Sequence, residues 1–242
     1  MKERIFIPII CYNHMANTEF MISFIKLTHY LRDKNIDYCL YPIVFESLIP
    51  RARNAAAAHF LDSDCSHLLF IDADIEFDSE SVVKLLRHNK EVIGGVYPKK
   101  YYMWDRALTG EETVDYPFGG EVHFNQDGLI ETAYLSTGFL MIKREAFTKI
   151  ASKKPELKYK NDIDGYGELN TFYNFFRSGV YNGIYESEDW GFCSIWRELG
   201  GKVLIDPTIK LGHIGWNNFS GNPSKWCQEA INRYNQKHSS KK

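Results

Sequence analysis

No apolar run in this chain approaches the roughly 20 residues a helix needs to cross a bilayer, so no membrane-spanning segment is expected. Cysteine is sparse and unpaired in pattern. The five cysteines, Cys11, Cys39, Cys65, Cys193 and Cys227, are odd in number and share no C-x-x-C spacing. That excludes a zinc ribbon or a disulfide framework and points to a reducing compartment, with a soluble, cytoplasmic protein expected. Neither sign of charge is in excess: the net charge is -2 with acids and bases interspersed, which leaves no basic footprint for nucleic acid. One basic cluster, Lys237-His238-Ser239-Ser240-Lys241-Lys242, reads as a frayed, solvated terminus. Met1-Lys2-Glu3-Arg4 leads into a short strand pattern, not a signal-peptide core. Linkers, repeats and low-complexity stretches are absent, so the 242 residues read as one domain: a first half over 1–100, a second over 101–220, and a C-terminal helix and tail over 221–242.

What is present is an alternation of apolar strands and amphipathic helices. Arg4 to Ile10 reads as a strand, and Asn17 or Thr18 caps a helix whose Phe20, Phe24, Leu27 and Leu31 recur at helical spacing. Ile43-Val44-Phe45 closes a second strand, the Ala55 to Ala58 run makes Arg51 to Leu61 helical, and a third strand ends at Asp72. Asp78 or Ser79 caps the next helix, with Val82, Leu85 and Leu86 inward, before a strand over Val92 to Tyr97. This order predicts an α/β fold: a mostly parallel, Rossmann-like central sheet with flanking helices. From Tyr101 to Tyr134 helical periodicity gives way to aromatics and glycines. Strands over Glu121 to Phe124 and Ile130 to Tyr134 about the Asn125-Gln126-Asp127-Gly128 turn predict an added antiparallel hairpin region. Ser136 to Ile142 reads as another strand, with a short helix from Arg144; Lys153 to Tyr181 reads as a long loop that orders on substrate binding. Glu188 to Leu199 is helical and Lys202 to Asp206 is the last strand.

Leu68-Leu69-Phe70-Ile71-Asp72-Ala73-Asp74 carries the chemistry. Four uncharged residues suit a strand buried on both faces, and the carboxyl end of such a strand is where open α/β sheets bind ligands. In extended chain, positions i and i+2 point to one side, so Asp72 and Asp74 can converge on one divalent cation, which commonly keeps places for substrate phosphates. Alone, two such aspartates better suit a solvated turn or a helix cap.

The companions decide between those readings. Arg51-Ala52-Arg53-Asn54, the Asp72-Ala73-Asp74 strand and Gly94-Gly95-Val96-Tyr97-Pro98-Lys99-Lys100 together resemble the donor half of GT-A glycosyltransferases. Ser187-Glu188-Asp189-Trp190-Gly191-Phe192-Cys193, Gly200-Gly201-Lys202-Val203 and Gly212-His213 resemble their acceptor-side helix and C-terminal histidine. The match runs in order from about Ile5 to Gly215 and is nearest the family 2-like and Anp1-like branch, which includes small soluble viral and bacterial enzymes. The resemblance implies a GT-A fold, a nucleoside-diphosphate sugar donor, a glycan or glycoconjugate acceptor, and Mn²⁺ or Mg²⁺.

On that basis Asp74 is the leading metal ligand; Asp72 shares the metal or accepts a hydrogen bond from the ribose; His213, placed after the last strand, is a second metal ligand through a neutral ring nitrogen. Asp189 is the candidate general base of an inverting transfer, and Glu188 holds the acceptor or orients that base. Both acids also suit a helix N-terminus, where the dipole favours carboxylates. Arg51, Arg53 and Asn54 stand near a helix start, where guanidinium groups and backbone N–H groups suit a diphosphate. Arg53-Asn54 fits the family pattern better than Arg51. One of Lys99 and Lys100 neutralises the leaving group. Pro8, Ile10 and Tyr12 pack around the nucleotide base, and Glu46 stands where similar enzymes place an Asp for the base or ribose. Tyr101, Tyr102, Trp104, Trp190 and Trp216 offer flat faces to sugar, Trp190 beside the acceptor. A sugar nucleotidyltransferase is the alternative, although Pro8-Ile9-Ile10-Cys11-Tyr12-Asn13-His14 lacks the glycines of its phosphate loop. A catalytically silent glycan- or nucleotide-binding module and a metal-dependent phosphoester hydrolase are the others.

Overall fold

The structure is a computed structural model, and it describes residues 3–44, 46–119, 123–163, 165–167 and 169–239. In chain order the elements are β1 (Arg4–Cys11), α1 (Thr18–Asp33), β2 (Asp37–Val44), α2 (Ile49–Asp62), β3 (His67–Ile71), β4 (Ile75–Phe77), α3 (Ser79–His88) and β5 (Val92–Gly94). Then come β6 (Phe118–Gly119), β7 (His123–Phe124), β8 (Ile130–Thr132), β9 (Tyr134–Leu135), β10 (Phe139–Lys143), α4 (Arg144–Lys153), β11 (Gly179–Tyr181) and β12 (Ile184–Glu186). α5 (Glu188–Glu198), β13 (Val203–Ile205), β14 (Leu211–Ile214), β15 (Asn218–Phe219) and α6 (Pro223–Ser239) complete the chain.

The central sheet has eight strands in the order β2-β1-β3-β10-β5-β13-β8-β7. β2, β1, β3, β5 and β13 run one way, while β10 lies antiparallel between β3 and β5 and β8 lies antiparallel to β13. A mostly parallel α/β sheet with added antiparallel strands is therefore the architecture. Period-2 alternation lets these strands feed two cores. Phe6, Leu68, Phe70, Leu140 and Ile142 face α2, α4 and α5, whereas Ile5, Ile7, Leu69, Ile71 and Met141 face α1 and α3.

α2 is hidden from solvent along most of its length, and its small side chains explain how. Ala52 and Ala55 to Ala58 are fully buried; alanine costs least to place in a helix and lets neighbours approach closely. Those neighbours include Phe172, Phe175 and Phe176, also fully buried. The stretch over Lys153 to Tyr181, expected to be a long loop that orders on substrate binding, is thus already packed, and its last three residues form β11. Asn54 secures it by donating from Nδ2 to Asn174 Oδ1 at 2.9 Å and accepting from Phe176 N at 2.9 Å. Asp164 and Glu168 lie outside the described residues.

Other expectations shift at their edges. The strand from Val92 stops at Gly94, and Lys202 to Asp206 is followed by two further strands, so it is not the last. Phe45 and Glu121 lie outside the described residues, as do 240–242, while Lys237 and His238 belong to α6.

The last carbonyls of α2 are satisfied by a side chain from elsewhere. Arg144 donates Nη2 to Phe60 O (2.7 Å) and Ser63 O (2.8 Å), Nη1 to Leu61 O (3.0 Å) and Nε to Cys65 O (2.8 Å). Its guanidinium lies 4.6 Å from the Phe60 ring centroid. A charged donor here serves the carbonyls at a helix end, of which Phe60 O also accepts from Ser63. Arg144→Ala is expected to cost about 3 kcal/mol, a fall of roughly 6–12 °C in Tm for a chain of this size, measurable by thermal unfolding.

Candidate functional site

Asp72 to Asp74 leave the sheet at the carboxyl end of β3, and β4 begins at Ile75. β14 pairs antiparallel with β4, with His213 opposite Ile75, and Ile214 N donates to Asp74 O at 2.8 Å. This small sheet brings together two residues distant in sequence: His213 Nε2 lies 3.4 Å from Asp74 Oδ2. His213 therefore sits within a strand, not after the last one. Its other ring nitrogen, Nδ1, is 2.8 Å from Pro98 O. A carbonyl can only accept, so Nδ1 carries a proton and Nε2 is the ring nitrogen that faces Asp74. The Tyr97 ring packs edge-on to the imidazole, centroids 4.9 Å apart, and holds its plane. Gly138 makes room for that tyrosine: a Cβ there would come within 2.6 Å of the ring.

Asp74 Oδ2 also accepts from Lys100 Nζ at 2.6 Å. Burial pushes the Asp74 carboxyl up, but His213 and Lys100 outweigh it and hold the group below its ordinary value. Asp74 is thus a carboxylate favoured in its charged form, between the Nε2 edge of an imidazole and an ammonium.

On the other side of Asp74, Arg53 joins two parts of the chain. Its guanidinium, only 5% exposed, donates Nη2 to Asp72 Oδ1 at 2.9 Å and Nε to Glu188 Oε1 at 3.4 Å. It stacks 5.1 Å from the Phe70 ring centroid, and Nη1 is buried without a hydrogen-bond partner. Burial works against the Arg53 charge, yet Asp72 and Glu188 together raise its pKa. Glu188 opens α5; burial, then the neighbouring Asp189, push its carboxyl above the usual range against the pull of Arg53. Asp189 accepts from Ser187 Oγ and from Trp190 N at 2.7 Å. Trp190 stacks on Tyr134 with centroids 4.7 Å apart. The Tyr97 phenol, raised by burial, also feels the charges of Asp72 and Asp189. Asp72, Asp74, His213, Glu188 and Asp189 are linked through Arg53 and Tyr97 into one neighbourhood.

Several other sequence-predicted residues spend their polar groups on one another. Arg51 grips Glu46 with two bonds, Nε to Oε2 at 2.7 Å and Nη2 to Oε1 at 2.8 Å. Glu46 also accepts from Leu48 N and Tyr166 OH, and although burial would raise its carboxyl, Arg51 holds it down. Asn54 is consumed by the 174–176 segment, as described above. Lys99 pairs with Asp115 at 2.8 Å, so Lys100 is the lysine at the carboxylate. Pro8 is buried in β1, while Tyr12 is 55% exposed just beyond that strand. Tyr97 was not anticipated, and its position beside Pro98-Lys99-Lys100 was the available signal. Tyr102, Trp104 and Trp216 gather around the buried Phe219, with Trp104 and Trp216 exposed, on the segments that follow His213 and Lys100.

A divalent cation implied by the family resemblance can be tested against this donor set. One carboxylate oxygen and one imidazole nitrogen converge, a mixed O/N pair suited to Mn²⁺ or Mg²⁺ when substrate phosphates supply further oxygens. Among the described residues no third His, Cys, Asp or Glu joins them in a metal-binding group. Asp74 and His213 fit such an ion; Asp72, committed to Arg53, fits less directly.

No family model matches the chain, and no curated protein matches it. Among solved structures it is similar to A197 from STIV, at 18% identity over 93% of this chain and 92% of that one, with a TM-score of 0.49. It is also similar to GalNAc-T7 solved with UDP, GalNAc and Mn²⁺: 13% identity, 88% of this chain, 44% of that chain, TM-score 0.42. A third is 4-diphosphocytidyl-2C-methyl-D-erythritol synthase from Anaerococcus prevotii, at 10% identity over 81% and 96%, TM-score 0.37. Likeness of this degree decides nothing about chemistry. No helix among the described residues is long and apolar enough to cross a membrane.

Proposed function

We propose that this chain is a GT-A-type glycosyltransferase, moving a sugar from a nucleoside-diphosphate sugar to a hydroxyl of a glycan or glycoconjugate. The observation that carries this reading is the meeting of Asp74, His213 and Lys100 at the carboxyl end of β3, where Asp72 of the same turn is bridged by Arg53 to Glu188, next to Asp189. Departure of a nucleoside diphosphate builds negative charge on its oxygens, and a cation in place strengthens its hold as that charge grows. A Mn²⁺ or Mg²⁺ held by Asp74 and His213 would supply that charge stabilisation. Asp189 takes the acceptor proton as the acceptor oxygen bonds to the anomeric carbon and the carbon–oxygen bond to the diphosphate breaks. Attack opposite the leaving group inverts the anomeric centre. Glu188, anchored to Arg53, sets the position of its neighbour.

The test is a panel of nucleotide-sugars assayed for Mn²⁺-dependent release of nucleoside diphosphate, with and without glycan acceptors. Release and transfer support the reading. No release and no nucleotide binding would sink it, and release of pyrophosphate would indicate a nucleotidyltransferase instead. Asp189→Asn is expected to slow transfer about 10²- to 10⁴-fold with nucleoside-diphosphate binding unchanged. Full transfer by that variant would remove Asp189 from the role of base, and anomeric NMR of the product reads inversion directly.

A further inference from the structure

Lys100 occupies an unusual position for a surface lysine. Its ammonium rests on the same Asp74 oxygen that His213 Nε2 faces, at 2.6 Å and 3.4 Å respectively. With Nδ1 committed to Pro98 O, His213 presents Nε2 to the same Asp74 oxygen, so that oxygen is approached from two sides. Lys100 supplies the ammonium at hydrogen-bond distance from it. Its stem passes over Gly215, where a Cβ would lie 3.0 Å from Lys100 Cδ, so glycine at this position leaves the lysine its path. The side chain is 36% exposed, and a four-carbon stem can swing the ammonium several ångströms into solvent or onto a ligand.

We propose that Lys100 is an exchangeable counter-ion. It holds Asp74 in the ligand-free protein, yields that oxygen to a divalent cation, and transfers its ammonium to the diphosphate of the arriving donor. The proposal rests on the reading of Asp74 and His213 as the metal-holding pair. A cation binding alone must break the Lys100–Asp74 pair and then tolerate the displaced ammonium nearby, whereas a cation arriving with a diphosphate gives Lys100 a new anionic partner. Metal and nucleotide therefore bind with positive coupling, and by linkage each raises the affinity of the other by the same factor. Lys100 is a positioning residue for both ligands, and it sets their mutual dependence.

The experiment titrates Mn²⁺ alone, followed by EPR of the free ion, and then UDP, GDP and dTDP by calorimetry with and without Mn²⁺. In the wild-type protein Mn²⁺ alone binds weakly, and a nucleoside diphosphate tightens it. Lys100→Met is expected to bind Mn²⁺ alone about 5- to 50-fold more tightly and the preferred diphosphate, in the presence of Mn²⁺, more weakly by a similar factor. Lys100→Arg, which keeps the charge, stays near the wild type in Mn²⁺ affinity. Gly215→Ala, which crowds the stem without touching charge, shifts Mn²⁺ affinity in the direction of Lys100→Met. Unchanged or weakened Mn²⁺ binding by Lys100→Met, in a protein that otherwise binds metal and nucleotide, overturns the exchange while leaving the glycosyltransferase reading intact. A wild-type protein that binds neither Mn²⁺ nor any of the three diphosphates overturns both.

Discussion

Asp74→Ala is expected to lower nucleotide-sugar turnover about a thousandfold while leaving the fold intact. Asp74 is the carboxylate shared by His213 and Lys100, and its ionised state is held by both. Removing it leaves a lone imidazole nitrogen, too few donors to retain Mn²⁺ or Mg²⁺ against water. Metal stabilisation of a leaving phosphate oxygen contributes several kcal/mol to the transition state, and each 1.36 kcal/mol is about tenfold in rate. The fold survives because the main-chain bond from Ile214 N to Asp74 O, which ties β14 to this turn, does not involve the side chain. Two measurements check this: steady-state turnover, and Mn²⁺ binding by EPR. Retention of more than a tenth of wild-type activity, with metal binding unaltered, would move the metal away from Asp74.

Arg53→Met is expected to destabilise the protein by about 3–5 kcal/mol, the range seen when one partner of a buried ion pair is removed. The guanidinium is almost wholly buried between Asp72 and Glu188. Without it both carboxylates lose their counter-charge, Glu188 in a largely buried place and Asp72 in a partly exposed one, and methionine fills part of the volume without replacing either bond. Glu188 already has its carboxyl raised by burial and by Asp189, with Arg53 the opposing influence. Loss of Arg53 therefore raises it further. The sign follows: at a fixed pH a smaller fraction of Glu188 is ionised in the variant, so its residual activity should climb toward higher pH than the wild type's. Urea denaturation reads the stability loss, and the pH dependence of kcat/KM reads the shift. Arg53→Lys restores a charge but cannot reach two carboxylates with a planar fork, so partial recovery of stability is expected. An unchanged denaturation midpoint in Arg53→Met would mean that the bridge contributes little.

The elements that could be read directly were those whose local chemistry permits one solution. The apolar run from Leu68 to Ile71 makes a strand buried on both faces, with Leu68 and Phe70 in one core and Leu69 and Ile71 in the other. The alanine run produces α2, and the polar face and cap of α3 place it within a residue. What could not be read was direction and partnership. Phe139 to Ile142 is as apolar as Leu68 to Ile71, and nothing in its composition says that it runs antiparallel between β3 and β5. The 172–176 phenylalanines have no period, so they looked like loop, although their burial makes them part of the main core.

The site divides along the same line. The chain's own order determined the carboxylate pair at a strand end and the Ser187-Glu188-Asp189 helix start, because spacing along a strand or a first turn is a local matter. Only the tertiary structure decided that His213 meets Asp74 through the pairing of β14 with β4, that Arg53 commits Asp72 to Glu188, and that Lys100 rather than Lys99 reaches the carboxylate. Those outcomes depend on contacts between segments far apart in the chain, set by strand pairing for His213 and by which counter-charge lies within reach for Arg53 and Lys100, and no local pattern encodes them.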